Sequence, residues 1–130
     1  MDSETQQGDT KLFYLNIFDI YVLDYAGTIT LDKGLSNMAL IENELRELSL
    51  NRVCLKILFD LSNTIWENRN THDELSKIAR KIFNPQNFDL VIYTAILNNE
   101  ITGPTFDNEH WFINKDDAIK WLTEKTYTEH

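Results

Sequence analysis

Polar side chains that could do chemistry follow directly on an apolar run at residues 53–59. Four of them lie close together, namely Asp60, Ser62, Asn63 and Thr64. The run has the composition of a strand buried on both faces of a sheet, and open α/β sheets bind ligands or partners where such strands end. We expect these four residues to shape a loop there, through local hydrogen bonds from side chain to backbone.

The segment after these residues carries side chains typical of protein interfaces. Trp66 and Arg69 belong to the residue types that dominate binding energy at interfaces. Together with Asn68 and Asn70 they form the predicted partner-binding set. Thr71 opens a Thr-x-x-Glu capping box, which predicts that it is the N-cap of the next helix.

No group of residues in the sequence predicts a metal or cofactor site. His72 stands beside two acids, but neighbours along a helix point to different faces. His110 beside Glu109 is the other candidate, and a solvated surface accounts for both histidines. Cys54 lies within the apolar run and is expected to be a small core residue. We therefore expect neither a metal nor a cofactor.

The composition of the chain indicates a folded domain and makes some classes of partner unfavourable. The chain has 130 residues, a net charge of −9 and 42% hydrophobic residues, which predicts one folded domain. Such acidity disfavours nucleic acids and anionic membrane surfaces as partners. No long apolar span or signal-peptide pattern is present, so a cytoplasmic protein is expected. Residues 1–10 are a predicted flexible lead-in to a domain at residues 11–125.

The predicted elements begin with a β-hairpin. It covers residues 12–25, with the reversal at Phe18-Asp19. Thr30 is the expected N-cap of a four-turn helix. Its inward stripe is predicted to hold residues at helical spacing, namely Leu31, Leu35, Met38, Ala39, Leu45 and Leu48.

The second half of the chain continues the alternation of strands and helices. A helix is predicted from Thr71 to Pro85, then a strand at 88–97 and a short strand at 111–113. Asn114 is the expected cap of the last helix. The order β-β-α-β-α-β-β-α predicts a single α/β domain, with a mixed, mostly parallel sheet and helices packed on it.

Three local motifs, in this order, resemble the STAS domain, and more closely its small stand-alone SpoIIAA-like branch. They are Gly27-Thr28-Ile29-Thr30 before the first helix, Ile57-Leu58-Phe59-Asp60-Leu61 in the central strand, and the segment from Trp111 to Leu122. The resemblance covers the chain from Leu12 to Leu122. It implies a SpoIIAA-like fold and a bacterial, non-catalytic regulatory or protein-interaction module, with a homodimer as one assembly.

The resemblance also implies where regulation would act. Bacterial anti-sigma-factor antagonists are phosphorylated on a Ser or Thr at the start of the helix after the central strand, where a helix N-terminus favours negative charge. Arg69 stands about where that Ser would lie, and Thr71 is the nearest hydroxyl and the candidate phosphosite. Related stand-alone proteins are also likened to lipid-binding CRAL-TRIO folds, which implies a carrier of a small apolar ligand as an alternative.

A second resemblance concerns Asp60. The run from Asp60 to Thr64 resembles the first motif of haloacid-dehalogenase phosphatases, Asp-x-Asp-x-Thr. That resemblance implies an aspartate nucleophile and a second Asp acting as general acid and base. Ser62 replaces the second Asp, and a hydroxyl cannot shuttle protons near neutral pH. The phosphatase is therefore the weakest alternative, and we expect the protein not to be an enzyme.

Overall fold

A five-stranded sheet organises the computed structural model, which describes residues 9–50, 52–82, 91–99 and 107–125. The strands are β1 (Asp9–Leu15), β2 (Ile20–Ile29), β3 (Cys54–Trp66), β4 (Val91–Leu97) and β5 (Glu109–Phe112). They lie in the order β1-β2-β3-β4-β5. β1 is antiparallel to β2, and every other neighbouring pair is parallel. The predicted mixed, mostly parallel sheet is confirmed.

The predicted hairpin is also confirmed, with its reversal at the expected place. Leu15 pairs with Ile20, and Asp19 adopts a left-handed backbone conformation with φ of 54°. The Tyr14 hydroxyl donates to Asp19 Oδ1 at 2.7 Å, and Arg52 Nη1 lies 3.0 Å from the same oxygen. Burial opposes the charge on Asp19, but the hydrogen bonds from Tyr14 and Arg52 hold its pKa below its usual value.

Three helices cover the two faces of the sheet. They are α1 (Leu31–Ser49), α2 (Arg69–Ile82) and α3 (Lys115–Thr123). Thr30 caps α1 by accepting from the Lys33 backbone N–H, and Asn114 caps α3 by accepting from Asp117, as predicted. None of the helices described is long and apolar enough to cross a membrane.

The two faces have separate cores. On one face, α3 buries Ala118 and Leu122 against Leu58, Ala95 and their neighbours. On the other face, α1 packs Ile41 and Leu45 against Leu55, Ile57 and Ile92, residues with the opposite strand parity. A third cluster joins α1 and α2 through Met38 and Leu75.

The predicted stripe of α1 is partly wrong. Leu35 is 39% exposed, and Ala39 is also exposed. The buried positions are Gly34, Asn37, Met38, Ile41 and Leu45. Asn37 is buried because its amide donates to the Tyr25 hydroxyl at 2.8 Å. A count of apolar residues overlooks Asn37 and Gly34, and the helix exceeds the predicted four turns.

Other boundaries shift at the ends of elements. β1 begins at Asp9, inside the predicted 1–10 lead-in. Strand β3 continues through Asp60 to Trp66 where a loop was predicted, because β2 also extends and pairs with it as far as Ile29. Pro85 and residues 88–90 of the predicted β4 lie outside the described residues.

Candidate functional site: a cavity beneath helix α2

A cavity of about 370 Å³ lies between α2 and the sheet. This volume is at the small end of the range typical of ligand pockets, roughly 300–1,000 Å³. Its walls come from four strands and two helices, and their apolar residues include Phe59, Leu61, Trp66, Leu75, Ala79 and Ile96. The cavity is partly open to solvent, so a ligand could reach it without unfolding of the domain.

The position of α2 explains why this space is not filled. Ser76 and Ala79 line the cavity, and both have short side chains that leave volume between helix and sheet. α2 instead packs closely on α1: a Cβ atom on Gly34 would clash with the side chain of Leu75. Glycine at position 34 therefore lets the two helices approach over one side of the cavity.

One end of the cavity is polar. Arg80 Nε of α2 lies 3.8 Å from Glu109 Oε2 of β5. Desolvation raises the pKa of Glu109, and the nearby charge of Arg80 opposes that rise. Trp111, only 8% exposed, also lines this cavity, and its Nε1 has no hydrogen-bond partner among the described residues.

Sequence reasoning missed this polar end. The sequence offers Glu109, beside His110, as a candidate metal ligand, and it places Trp111 in a short strand and in the C-terminal segment that carries the resemblance. The usable signal was alternation along β5, since Glu109 and Trp111 are two residues apart and share a face. Their partners in the register, Thr94 and Ile96, line the same cavity from β4.

A β-bulge in β3 determines which residues form the far wall. Asp24 of β2 pairs with Asp60, but Ala26 pairs with Asn63, so β3 carries one extra residue between these pairs. Leu61 and Trp66 are five positions apart, and simple alternation would place them on opposite faces. With the extra residue, both line the cavity.

The predicted loop-shaping residues lie in and beside this bulge. Asp60 Oδ1 accepts from the Ser62 backbone N–H at 3.1 Å and from the Ser62 hydroxyl at 2.5 Å. The Thr64 hydroxyl donates to the Tyr25 carbonyl at 2.6 Å, and Asn63 is exposed. The local hydrogen bonds are of the expected kind, but they belong to a strand.

The predicted partner-binding residues do not all lie on one exposed surface. Asn68, Arg69 and Asn70 are exposed at the start of α2. Trp66 is half-buried and makes an edge-to-face contact with His72, with ring centroids 4.9 Å apart. Trp66 therefore faces the cavity side of the fold, whereas the other three face solvent.

Thr71 is not the N-cap that the sequence predicted. Asn68 Oδ1 accepts from the Thr71 backbone N–H at 2.8 Å, and α2 begins at Arg69. Asn68 competes successfully because asparagine is at least as good an N-cap as threonine. Thr71 is 3% exposed in the first turn, so a kinase could reach its hydroxyl only after that turn opened.

The opposite face of the sheet carries a pair of carboxylates near the same edge. Asp24 pairs with Asp60, and Lys115 Nζ lies 4.0 Å from Asp60 Oδ2. Asp24 Oδ1 is buried without a hydrogen-bond partner in the described part of the chain. Within those same residues, no three His, Cys, Asp or Glu side chains come together as ligands of a metal ion would.

The comparisons with known proteins bear on the fold. No family model and no curated protein matches the chain. Among solved structures, it is similar to an uncharacterized DUF3478-family protein with a SpoIIAA-like fold from Shewanella loihica PV-4. The TM-score is 0.56 at 16% sequence identity, and the match covers 94% of this chain and 98% of that one. The fold is therefore SpoIIAA-like, as the resemblance implied.

Proposed function

We propose that this protein is a non-catalytic binding module that holds a small, mainly apolar ligand in the cavity beneath α2. The cavity itself carries the proposal: it has the volume of a ligand site, mostly apolar walls and an opening to solvent. The apolar side chains that line this space make fewer contacts than residues of a close-packed core do, and an apolar ligand would supply those contacts.

Filling the cavity tests this proposal. Ala79 lines the cavity, and an Ala79→Trp side chain would occupy much of it. Lys77 is exposed on the same helix, so Lys77→Trp adds the same indole outside the cavity. We expect N-phenyl-1-naphthylamine, a neutral fluorescent probe, to bind the wild type and Lys77→Trp equally. Ala79→Trp should weaken binding at least tenfold, and equal binding by all three would refute the proposal.

The surroundings of Asp60 support the non-catalytic part of the proposal. Asp60 is 7% exposed, and its carboxylate accepts two hydrogen bonds from Ser62, with Lys115 also nearby. A carboxylate that is buried and already hydrogen-bonded in this way is poorly placed to attack a phosphate ester. A phosphatase would hydrolyse p-nitrophenyl phosphate with magnesium and lose that activity on Asp60→Asn. We expect no difference between wild type and variant.

A regulatory protein interaction is the second candidate function, with the exposed start of α2 as its surface. Arg69 and Asn70 are exposed there, and Ile65, four residues before Arg69 in the sequence, is 63% exposed. Exposed arginine next to an exposed aliphatic side chain is a usual composition for a contact surface. Arg69→Ala should abolish recovery of a partner in pull-downs, whereas Lys77→Ala, further along α2, should not. Equal recovery would exclude this surface.

A further inference from the structure

The polar end of the cavity has two unsatisfied groups of opposite hydrogen-bonding character. Trp111 Nε1 can only donate, and ionised Glu109 Oε2 can only accept. Neither atom has a hydrogen-bond partner within the described ranges, and both are buried. Buried polar atoms in folded proteins are almost always paired, so these two point to a missing partner.

We propose that the ligand has an uncharged head group that both accepts and donates hydrogen bonds, such as a primary carboxamide. Its oxygen would accept from Trp111 Nε1, and its N–H would donate to Glu109 Oε2. This inference rests on the proposed function and specifies the class of ligand for the same cavity. The apolar tail would lie along Phe59, Leu61 and Ile96.

The position of Trp111 makes it suitable for recognising a head group. Its backbone is held in β5 by pairing with Ile96, and 92% of the residue is shielded from solvent, given its 8% exposure. An indole that is fixed and dry offers its N–H in a constant direction. Water competes poorly for such a donor, so a ligand acceptor gains most of the hydrogen bond.

Charge at this end excludes an ionised head group. Arg80 and Glu109 carry opposite charges 3.8 Å apart, so the end is electrically balanced. A carboxylate or an ammonium would add one uncompensated charge to a partly buried site, which is strongly unfavourable. The raised pKa of Glu109 agrees with the poor solvation of charge here.

The volume limits the length of the ligand. At about 30 Å³ for each non-hydrogen atom, the share of liquid volume that a water molecule takes, the cavity holds roughly a dozen such atoms. Decanamide has that size and carries the required head group. Undecane, decanoate and decylammonium match its length, with an apolar, a negative and a positive end respectively.

The test measures how well these four compounds displace N-phenyl-1-naphthylamine at pH 7 from the wild type, Trp111→Phe and Trp121→Phe. Trp111→Phe removes the indole N–H and keeps a ring. We expect this variant to lower the affinity for decanamide about fivefold to tenfold, the usual effect of losing one hydrogen bond, and to change the affinity for undecane less than twofold. Trp121→Phe is the matched control, because Trp121 stacks on His110 on the other face, and it should change neither.

A charge variant tests the second half of the inference. Glu109→Gln removes the carboxylate that faces Arg80, so a negative head group should then be tolerated. We expect the affinity for decanoate to rise at least tenfold in this variant. An unchanged affinity, or a wild type that prefers decanoate to decanamide, would overturn the inference.

Nuclear magnetic resonance keeps the inference testable if Trp111→Phe does not fold. The chain has three tryptophans and so three indole N–H signals. Decanamide, but not undecane, should shift one signal, and that signal should persist in Trp121→Phe. If undecane and decanamide both bind and the signals respond alike, only the head-group inference fails. If neither binds, the proposed function fails with it.

Discussion

The two faces of the sheet differ in how closely their helices pack on them. Under α3, Leu58, Ala95, Ala118 and Leu122 are completely buried. Under α2, the same strands face a cavity of about 370 Å³. Neighbouring residues of one strand thus meet a close-packed core on one side and a cavity on the other. Strand composition alone therefore does not decide whether a face of the sheet is closed.

Helix position accounts for the contrast. α3 brings Ala118 against the sheet with no exposed surface, which is a close approach that a small residue permits. α2 also has small residues towards the sheet, but it packs on α1 at Gly34 and pairs with β5 through Arg80 and Glu109. Contacts at its sides hold α2 above the sheet, so its small residues leave space.

Alanine substitutions at two adjacent residues of β3 should differ most in their cost to stability. Leu58 belongs to the filled face, and Phe59 lines the cavity. We expect Leu58→Ala to lower the free energy of unfolding by about 3 kcal/mol, and Phe59→Ala by less than about 2 kcal/mol, because Phe59 is only half-buried beside existing space. Urea denaturation measures both. Equal losses would show that the cavity wall is as tightly packed as the α3 core.

The next effect concerns the close approach of α1 and α2. Gly34→Ala places a methyl group against Leu75 and should push that side chain towards the cavity. Overpacking costs about 1–3 kcal/mol, and alanine regains about 1 kcal/mol of helix propensity, so a net loss of about 1 kcal/mol is expected. Probe binding should weaken as well. Ser36→Ala, at an exposed position of α1, controls for propensity alone.

A smaller effect is expected at the start of α2. Asn68→Ala removes the cap on the Thr71 N–H and should cost about 1 kcal/mol. Asn70→Ala, at an exposed position two residues on, should stay within about 0.5 kcal/mol. Hydrogen exchange should show faster opening of the first turn of α2 in Asn68→Ala only. Equal protection in both variants would mean that tertiary contacts, not the cap, hold this turn.

The smallest effect depends on pH. Desolvation raises the pKa of Glu109 above its unfolded value, so the folded state binds more protons between the two values. Stability from this group is therefore highest below the unfolded pKa and decreases as pH rises through the folded one. The stability difference between wild type and Glu109→Gln should decline over that window. A difference that rises with pH would mean that Arg80 outweighs burial.

Local signals made much of the fold predictable. The hairpin, the caps at Thr30 and Asn114 and the apolar centre of β3 depend on neighbouring residues, and all are present. The start of α2 was predicted wrongly because Asn68 and Thr71 both satisfy capping rules, and only the surrounding structure selects between them.

The cavity could not be predicted in the same way. Periodicity indicates that Leu75 and Phe59 point inwards, but it carries no information about how far apart two elements lie. The polar end depends on α2 and β5, which are far apart in sequence and meet only in the fold. Loop prediction at Asp60 failed for a related reason, since β3 is extended by pairing with β2.

The extra residue in β3 compensates for an odd separation along the strand. Leu61 and Trp66 are five positions apart, and the bulge makes that spacing equivalent to four, so both side chains reach the same face. Deleting Ser62 would leave four positions in strict alternation and keep the indole of Trp66 on the side of His72. A homologue one residue shorter here, and without the bulge, would thus keep this wall, whereas one of the present length that paired without the bulge would lose it.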